Sequence, residues 1–460
     1  MDTFYIYRNL PVYLQNICCS LQGYKIKKLR YNTEFRKYSE FLEMTDTWDQ
    51  EKIRCYKEEQ LARILAYSYE YCPFYRNSFQ RIGVKPSDFK SLEDLKLFPI
   101  LTKEDIRRNW QSMISTEYKK NQLVPYHTSG STGTALSFYW TRESVQRYWS
   151  IVWRNRKRFG LDLKDFHLNL TGKLVCPLEQ HKPPYWRYNR PMHQYLLNMQ
   201  HIRPDTIEGI VRFINKFAFK YFIGYPSIIN SLSSFINENG WTIEQPPTYI
   251  FTGAEKLYEN QRTQIEQAFK GVQLIEHYGF SENAAAASQC KCLHYHEDFE
   301  FGHLELGNAQ SHEKGIAGDL IATGFANYGM PFIRYRVGDY AIFNQRKCEC
   351  GLQSQVIEDI EGRNESYVIT PEGSKILRFD YLFKDTYSIK EVQVVQKREG
   401  EIILRIVRRE NYDLRIEKSI KERVREWISP TIKVSFEYVQ EIERTRAGKF
   451  RAVISELNHH

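Results

Sequence analysis

The 460-residue chain contains no run of about 18 uncharged apolar residues, the length a membrane-crossing helix requires, so no transmembrane helix is expected. Its opening stretch, "MDTFYIYRNLPVYLQNICCSLQGYKIKK", lacks a continuous apolar segment and a small-residue cleavage site. It does not read as a signal peptide, and the chain is expected to stay in the cytoplasm. Internal repeats and low-complexity segments are absent, which sets aside solenoid and repeat-array architectures. An excess of one charge is also scarce. The formal net charge of +9 is modest for this length, and basic and acidic residues alternate throughout, the pattern of a solvated surface. Nine cysteines, an odd number with no secretory signal, argue against a disulfide framework.

What is present is a globular balance, 42% apolar against 26% charged residues, on a chain long enough for a large domain with a smaller satellite. Residues 56 to 79 carry apolar groups at three- and four-residue steps up to a Pro break, which reads as an amphipathic helix. "LEDLKLFPILTKEDIRRNW" predicts a short helix, a turn at Pro99, and a second helix capped by Thr102. "YFIGYPSIINSLSSFINENG" and "TYIFTGAEKLYENQRTQIEQAFKG" each predict a buried strand, a turn and a helix that stops at Gly. This alternation predicts an α/β domain with largely parallel strands. After about residue 361 the texture changes to two strands around a Gly turn, an amphipathic helix and a further strand. That is a compact α+β unit, with the boundary expected at "IEGRNES".

Four stretches are able to carry chemistry. "YHTSGSTGTALSFYW", residues 126 to 140, exposes backbone N–H groups at Gly130 and Gly133 among Thr128, Ser129, Ser131 and Thr132, an anion cradle without the Gly-Lys-Ser/Thr ending of a Walker A loop. In "EHYGFSENAAA", Tyr278 beside Gly279 offers an aromatic face, and Glu282, after Ser281, offers a carboxylate suited to Mg²⁺. In "PFIRYRVGDYA", Asp339 is able to accept two ribose hydroxyls. In "ERTRAGKFRAVIS", Lys449 follows a flexible Gly448 and is able to bring positive charge to a phosphate oxygen. Each alone has a plainer meaning: an ordinary loop, a packed aromatic, a turn cap, a surface lysine.

In this order and at these separations the four stretches resemble the adenylate-forming superfamily of acyl-coenzyme A synthetases and adenylation domains. Within it the chain resembles the phenylacetate–coenzyme A ligase family and its capsule-polysaccharide-biosynthesis (CapK-type) branch. "LPVYLQNICCSLQGY", "YCPFYRNSF", "FPILTKEDIR", "FIGYPSIINSL", "TGAEKL" and "AGKFRAV" carry that likeness over nearly the full length. The resemblance implies a large N-terminal nucleotide- and acid-binding domain, residues 1–361, and a small mobile C-terminal domain, residues 362–460. It implies that the loop Thr128–Gly133 holds the ATP phosphates, and that Gly253, Ala254 and Glu255 wall the adenine. Tyr278 would stack on the base, Gly279 and Ser281 would lie beside it, Glu282 would bind Mg²⁺, and Asp339 and Arg363 would bind ribose or phosphate. Lys449 would bridge carboxylate and α-phosphate. The implied reaction activates a small carboxylic acid as an acyl-adenylate and passes it to a thiol such as coenzyme A, or to an amine. A hexuronic acid or its nucleotide-sugar form is the alternative substrate. Relatives in this family are often homodimers. Two positions depart from the pattern: Thr134 and Ala135 stand where many relatives have Lys-Pro, and Asn364, Glu365, Ser366 replace the usual two-aspartate hinge.

"QCKCLHYHEDFE" and "KCECG" place thiols and imidazoles about fifty residues apart, as two short chelating segments of a tetrahedral zinc site would be. Free buried thiols are the plainer reading. The resemblance favours a structural zinc on Cys290, His296, Cys348 and Cys350, with Cys292 and His294 as competing ligands. A reading of a different class is a zinc-stabilised protein that binds nucleic acid or an anionic membrane. "YKIKKLRYNTEFRKY" comes nearest to the basic and aromatic interleaving it needs, and residues 1 to 40 are the candidate peripheral membrane segment. That reading leaves the nucleotide motifs unexplained, so no nucleic acid is expected.

Overall fold

The computed structural model describes residues 3–127, 137–171, 175–177, 180, 182–198, 201–202, 204–344, 346–361, 368–371, 375–376, 379–383, 388–410, 412–444 and 451–457. By backbone proximity the chain divides into two compact units. The first comprises Met1–Leu168, Trp186–Leu196 and Ile275–Ile360, the second Asn169–Tyr185, Leu197–Leu274 and Glu361–His460.

Helices dominate the early part of the first unit: Val12–Arg30, Thr33–Thr45, Gln50–Tyr71, Pro73–Ile82, Lys103–Met113 and Arg142–Arg158. Their ends follow from local chemistry. Pro73 occupies the first turn of its helix, where a missing N–H costs nothing, and Gly83 closes it with a left-handed φ of 75°. Thr102 and Asp105 cap Lys103–Met113 reciprocally, each side chain taking the other's backbone N–H.

The later part of this unit is a run of neighbouring strands in the order Gly302–His312, Gly315–Gly324, Tyr335–Asn344, Val356–Glu361, Tyr295–Glu297, Ala286–Gln289 and Gln273–Gly279. The expectation of largely parallel strands fails here. Each register given within the run is antiparallel. The reason is connectivity: Gly302–His312 and Gly315–Gly324 are joined by two residues, too few for the crossover a parallel pair requires. Phe79 from a helix, Leu304 and Tyr335 from this run, and Phe98, Phe138 and Phe332, with others, pack into one core.

In the second unit the predicted alternation holds. Strands Tyr221–Gly224 and Tyr249–Gly253 pair in parallel, and helices Pro226–Glu238 and Glu259–Ala268 follow them. The α+β segment is a four-stranded sheet in the order Lys433–Tyr438, Glu401–Arg408, Ile389–Arg398, Val453–Ser455. Its hairpin turns at Gly400, φ 74°, and the helix Arg415–Trp427 buries Ile420 and Val424 in the same core as Val394, Leu404 and Ile406.

Candidate functional site

The strand Gln273–Gly279 ends in the stretch that carries Tyr278 and Glu282, and it borders Ala286–Gln289, with Tyr278 opposite Ala287. Asp339 and Tyr335 stand on another strand of the same unit, Tyr335–Asn344. The two segments meet through hydroxyls. Tyr278 Oη donates to Asp339 Oδ2 at 2.5 Å, and Tyr335 Oη donates to Glu282 Oε1 at 2.7 Å. Glu282 is only 3% exposed, and among the described residues no cation lies within ion-pair distance of it. A buried carboxylate of this kind is a donor suited to a hard cation such as Mg²⁺.

Of the sequence-predicted residues, Tyr278 and Asp339 are therefore in direct contact, and Glu282 is held by Tyr335, four residues from Asp339 on the same strand. Gly279 lies between them for a steric reason: a Cβ there would sit 3.2 Å from Tyr148 Oη and 3.4 Å from His277 Nε2. Ser281, in the same turn, is exposed. In the second unit, Gly253 closes its strand, Ala254 takes a left-handed φ of 64°, and Glu255 Oε2 accepts the Ser227 N–H at 3.2 Å. The expected phosphate loop, Thr128, Ser129, Gly130, Ser131, Thr132 and Gly133, lies outside the described residues, as do Arg363 and Lys449.

Three participants escape the sequence reading: Tyr335, Tyr148 and His277. His277 Nδ1 lies 3.2 Å from Ser288 Oγ, whose hydroxyl donates to Asp298 Oδ2 at 2.7 Å, while Arg154 Nη2 donates to Asp298 Oδ1 at 2.6 Å. Because the Ser288 proton goes to the carboxylate, Ser288 Oγ accepts from His277 Nδ1–H. His277 Nε2 is then left to accept from Tyr148 Oη, 3.4 Å away. Burial holds the imidazole below its ordinary range, with Asp298 only partly offsetting it, so His277 is neutral. The one signal for this was strand periodicity, which puts residue 277 on the same face as Gly279.

Behind this wall, buried charges are paired in sequence along "HEDFE". Glu297 accepts from Lys57 Nζ at 2.8 Å and lies 3.4 Å from His303 Nδ1; Arg154 reaches Glu300 at 2.5 Å as well as Asp298. Burial pushes the Glu297 carboxyl up, but Lys57 and His303 outweigh it and hold it at about 2.

His296, at the head of the same stretch, faces the cysteines. Its Nε2 lies 3.3 Å from Cys350 Sγ, and Cys290 Sγ lies 3.7 Å from Cys348 Sγ, far beyond disulfide length. The ligand atoms of Cys290, His296, Cys348 and Cys350 all fall within 4.8 Å of one another. His294 Nδ1 stands 3.5 Å from Cys348 Sγ, outside that group, and Cys292 is exposed.

Residues 368–456 match the CapK C-terminal domain family. Over 98% of its length the chain is 26% identical to Protein CapK of Staphylococcus aureus, covering 99% of that protein. It is also 31% identical to phenylacetate-coenzyme A ligase of Escherichia coli (strain K12), over 65% of this chain and 69% of that enzyme. The chain belongs to the phenylacetate–coenzyme A ligase family. Within that family it sits in the CapK branch, and it is an adenylate-forming ligase. The fold agrees: the crystal structure of 2-hydroxyisobutyryl-CoA ligase in the postadenylation state, in complex with R3-HIB-AMP, superposes with a TM-score of 0.72. That match is at 17% identity and covers 90% of this chain and 91% of that one.

Proposed function

We propose that the chain activates a small carboxylic acid with ATP, releasing pyrophosphate, and transfers the acyl group to coenzyme A in the assembly of a surface polysaccharide. The observation that supports the site assignment is that two hydroxyl bonds, Tyr278 to Asp339 and Tyr335 to Glu282, join the two segments that carry these residues. Tyr278 stacks on the adenine, Asp339 takes the ribose hydroxyls, and Gly253, Ala254 and Glu255 bound the base. Thr128, Ser129, Gly130, Ser131, Thr132 and Gly133 hold the phosphates.

In the first half-reaction a carboxylate oxygen bonds to the α-phosphorus as the bond to the bridging oxygen of pyrophosphate breaks. Anions converge in that step, and cationic and N–H donors must neutralise them. Lys449 supplies one charge between carboxylate and α-phosphate, and Arg363 contacts the ribose or a phosphate. The buried Glu282 carboxylate, which accepts from Tyr335, would hold Mg²⁺, whose charge would screen the phosphates. In the second half-reaction the thiol attacks the acyl carbon and AMP leaves. Residues 362–460 act as a mobile domain that swings at Gly362–Glu365 between the two steps.

Cys290, His296, Cys348 and Cys350 hold a structural Zn²⁺. The donor set, three thiolates and an imidazole gathered within 4.8 Å, fits that ion, and four protein ligands leave no open position for chemistry.

The test is carboxylate-dependent pyrophosphate release over a panel of aryl, aliphatic and uronic acids, with Lys449→Ala as control. Acid-dependent release lost in the variant supports the reading. Release that is independent of acid, or equal in the variant, overturns it. Product analysis with coenzyme A or amines then separates thioester from amide.

A further inference from the structure

The helix Val12–Arg30 is held against the strand Trp186–Asn189 by polar contacts and a close backbone approach. Gln15 Oε1 accepts from the fully buried Arg187 at 2.5 Å, and Asn16 Oδ1 accepts the Tyr188 N–H at 2.9 Å. Gly23 lies so close to Asn189 that a Cβ would overlap the Asn189 amide at 1.9 Å. These three contacts fix the helix against the strand Trp186–Asn189 and so fix which face looks outward.

That outward face is apolar. Tyr13 is 65% exposed, Ile17 51%, Leu21 62% and Tyr24 62%. Their spacing of four, four and three residues confines them to an arc of about 80° at 3.6 residues per turn, one continuous stripe along the helix. Lys28 continues the stripe four residues past Tyr24, and Lys25 and Lys27 stand to either side of it; all three are exposed. Between Asp2 and Glu34 the sequence contains no acidic residue.

We infer that this face docks on an anionic lipid surface. Aliphatic groups flanked by tyrosines match the apolar boundary of a bilayer and its headgroup level, and lysines beside them match lipid phosphates. Charge selects this occupant over a second copy of the chain, because the face has no carboxylate with which to pair its own lysines. No helix among the described residues is long and apolar enough to cross a membrane, so the contact is peripheral. It is a property of the first unit and stands whatever acid the ligase activates.

The experiment is flotation of the full-length protein with vesicles of phosphatidylcholine alone or mixed with phosphatidylglycerol, at low and high salt. Three forms are compared: wild type, Ile17→Ser/Leu21→Ser, and Lys25→Gln/Lys27→Gln/Lys28→Gln. All five positions are exposed, so the fold is retained, and circular dichroism verifies it. Wild type is expected to float with the anionic vesicles in a salt-sensitive manner. The lysine variant should partition roughly a hundredfold more weakly, and the apolar variant at least roughly tenfold more weakly. Absence of binding to anionic vesicles overturns the inference, as does binding that neither variant weakens. A dimer in light scattering that Ile17→Ser/Leu21→Ser dissolves also overturns it, by giving the face to a second copy.

Discussion

Tyr278 donates its phenolic proton to Asp339 at 2.5 Å, so the residue expected to stack on adenine orients the residue expected to hold the ribose. A short bond to an ionised carboxylate is stronger than a neutral one, and it fixes both side chains before the nucleotide arrives. Tyr278→Phe keeps the ring and removes this bond. Its expected effect is a roughly tenfold weaker ATP affinity with little change in melting temperature. Tyr278→Ala removes the ring as well and should weaken ATP further. Calorimetric titration with ATP checks both; a Phe variant that binds as tightly as wild type would remove the coupling.

Glu282 and Tyr335 form the second such pair, and both are buried. Glu282→Gln removes a buried charge with no cation among the described residues, so stability should hold or rise while the Mg²⁺ requirement climbs at least roughly tenfold. Tyr335→Phe leaves the charge but strips one donor from it, an expected loss of about 1–3 kcal/mol. Titration of activity with Mg²⁺, beside a thermal melt of each variant, separates the two effects. A Glu282→Gln variant that melts much lower at an unchanged Mg²⁺ requirement would make Glu282 structural.

The residues visible in advance and those missed differ in how far apart their partners lie. Thr102 and Asp105, or the hairpin at Gly400, are local devices, and local chemistry writes them into a few adjacent letters. Tyr278, Glu282 and Asp339 were each visible as a residue type in a turn, but their meeting depends on pairings across fifty to sixty positions. Tyr335, Tyr148 and His277 had no such signature. Tyr148 meets His277 across 129 residues, and a helix tyrosine among many aromatics gives no reason to single it out. The antiparallel run after residue 286 was misread for a related reason: strand texture reports burial, whereas direction is decided by connection length.

The ion pair of Lys57 with Glu297 predicts an acid limb in stability. The Glu297 carboxyl lies at about 2 in the folded chain, below its ordinary 4.5. A depressed folded value contributes stability above the unfolded value, and that contribution drains away as pH falls from about 4.5 through about 2. The difference corresponds to roughly 3 kcal/mol. Lys57→Met removes the ammonium from the buried Glu297 and leaves the Leu304 N–H and His303 beside it, an expected cost of about 3–5 kcal/mol at neutral pH. The variant should also lose part of the acid dependence. Urea unfolding of wild type and variant at several pH values measures both; parallel pH profiles would place the acid sensitivity elsewhere.

The cysteine cluster yields a prediction that does not involve activity. If Cys290, His296, Cys348 and Cys350 hold Zn²⁺, purified protein should contain one zinc per chain by elemental analysis, and a strong chelator should release it with a fall in melting temperature. Cys348→Ser should abolish binding, since this thiol is one of the four gathered donors and lies 3.7 Å from Cys290 Sγ. Cys292→Ser should leave the stoichiometry unchanged, because that side chain is exposed and outside the group. The same pair of variants decides between ligand sets: zinc retained in Cys348→Ser and lost in Cys292→Ser would transfer the site to the other thiol. The stretch from His296 to Glu300 also ties this cluster to the buried charges, and through Asp298 and Ser288 to His277. Zinc removal should therefore weaken ATP binding as well as lower the melting temperature, although no cysteine lies among the nucleotide residues. Apo-protein that binds ATP with undiminished affinity would confine the metal to a purely local role.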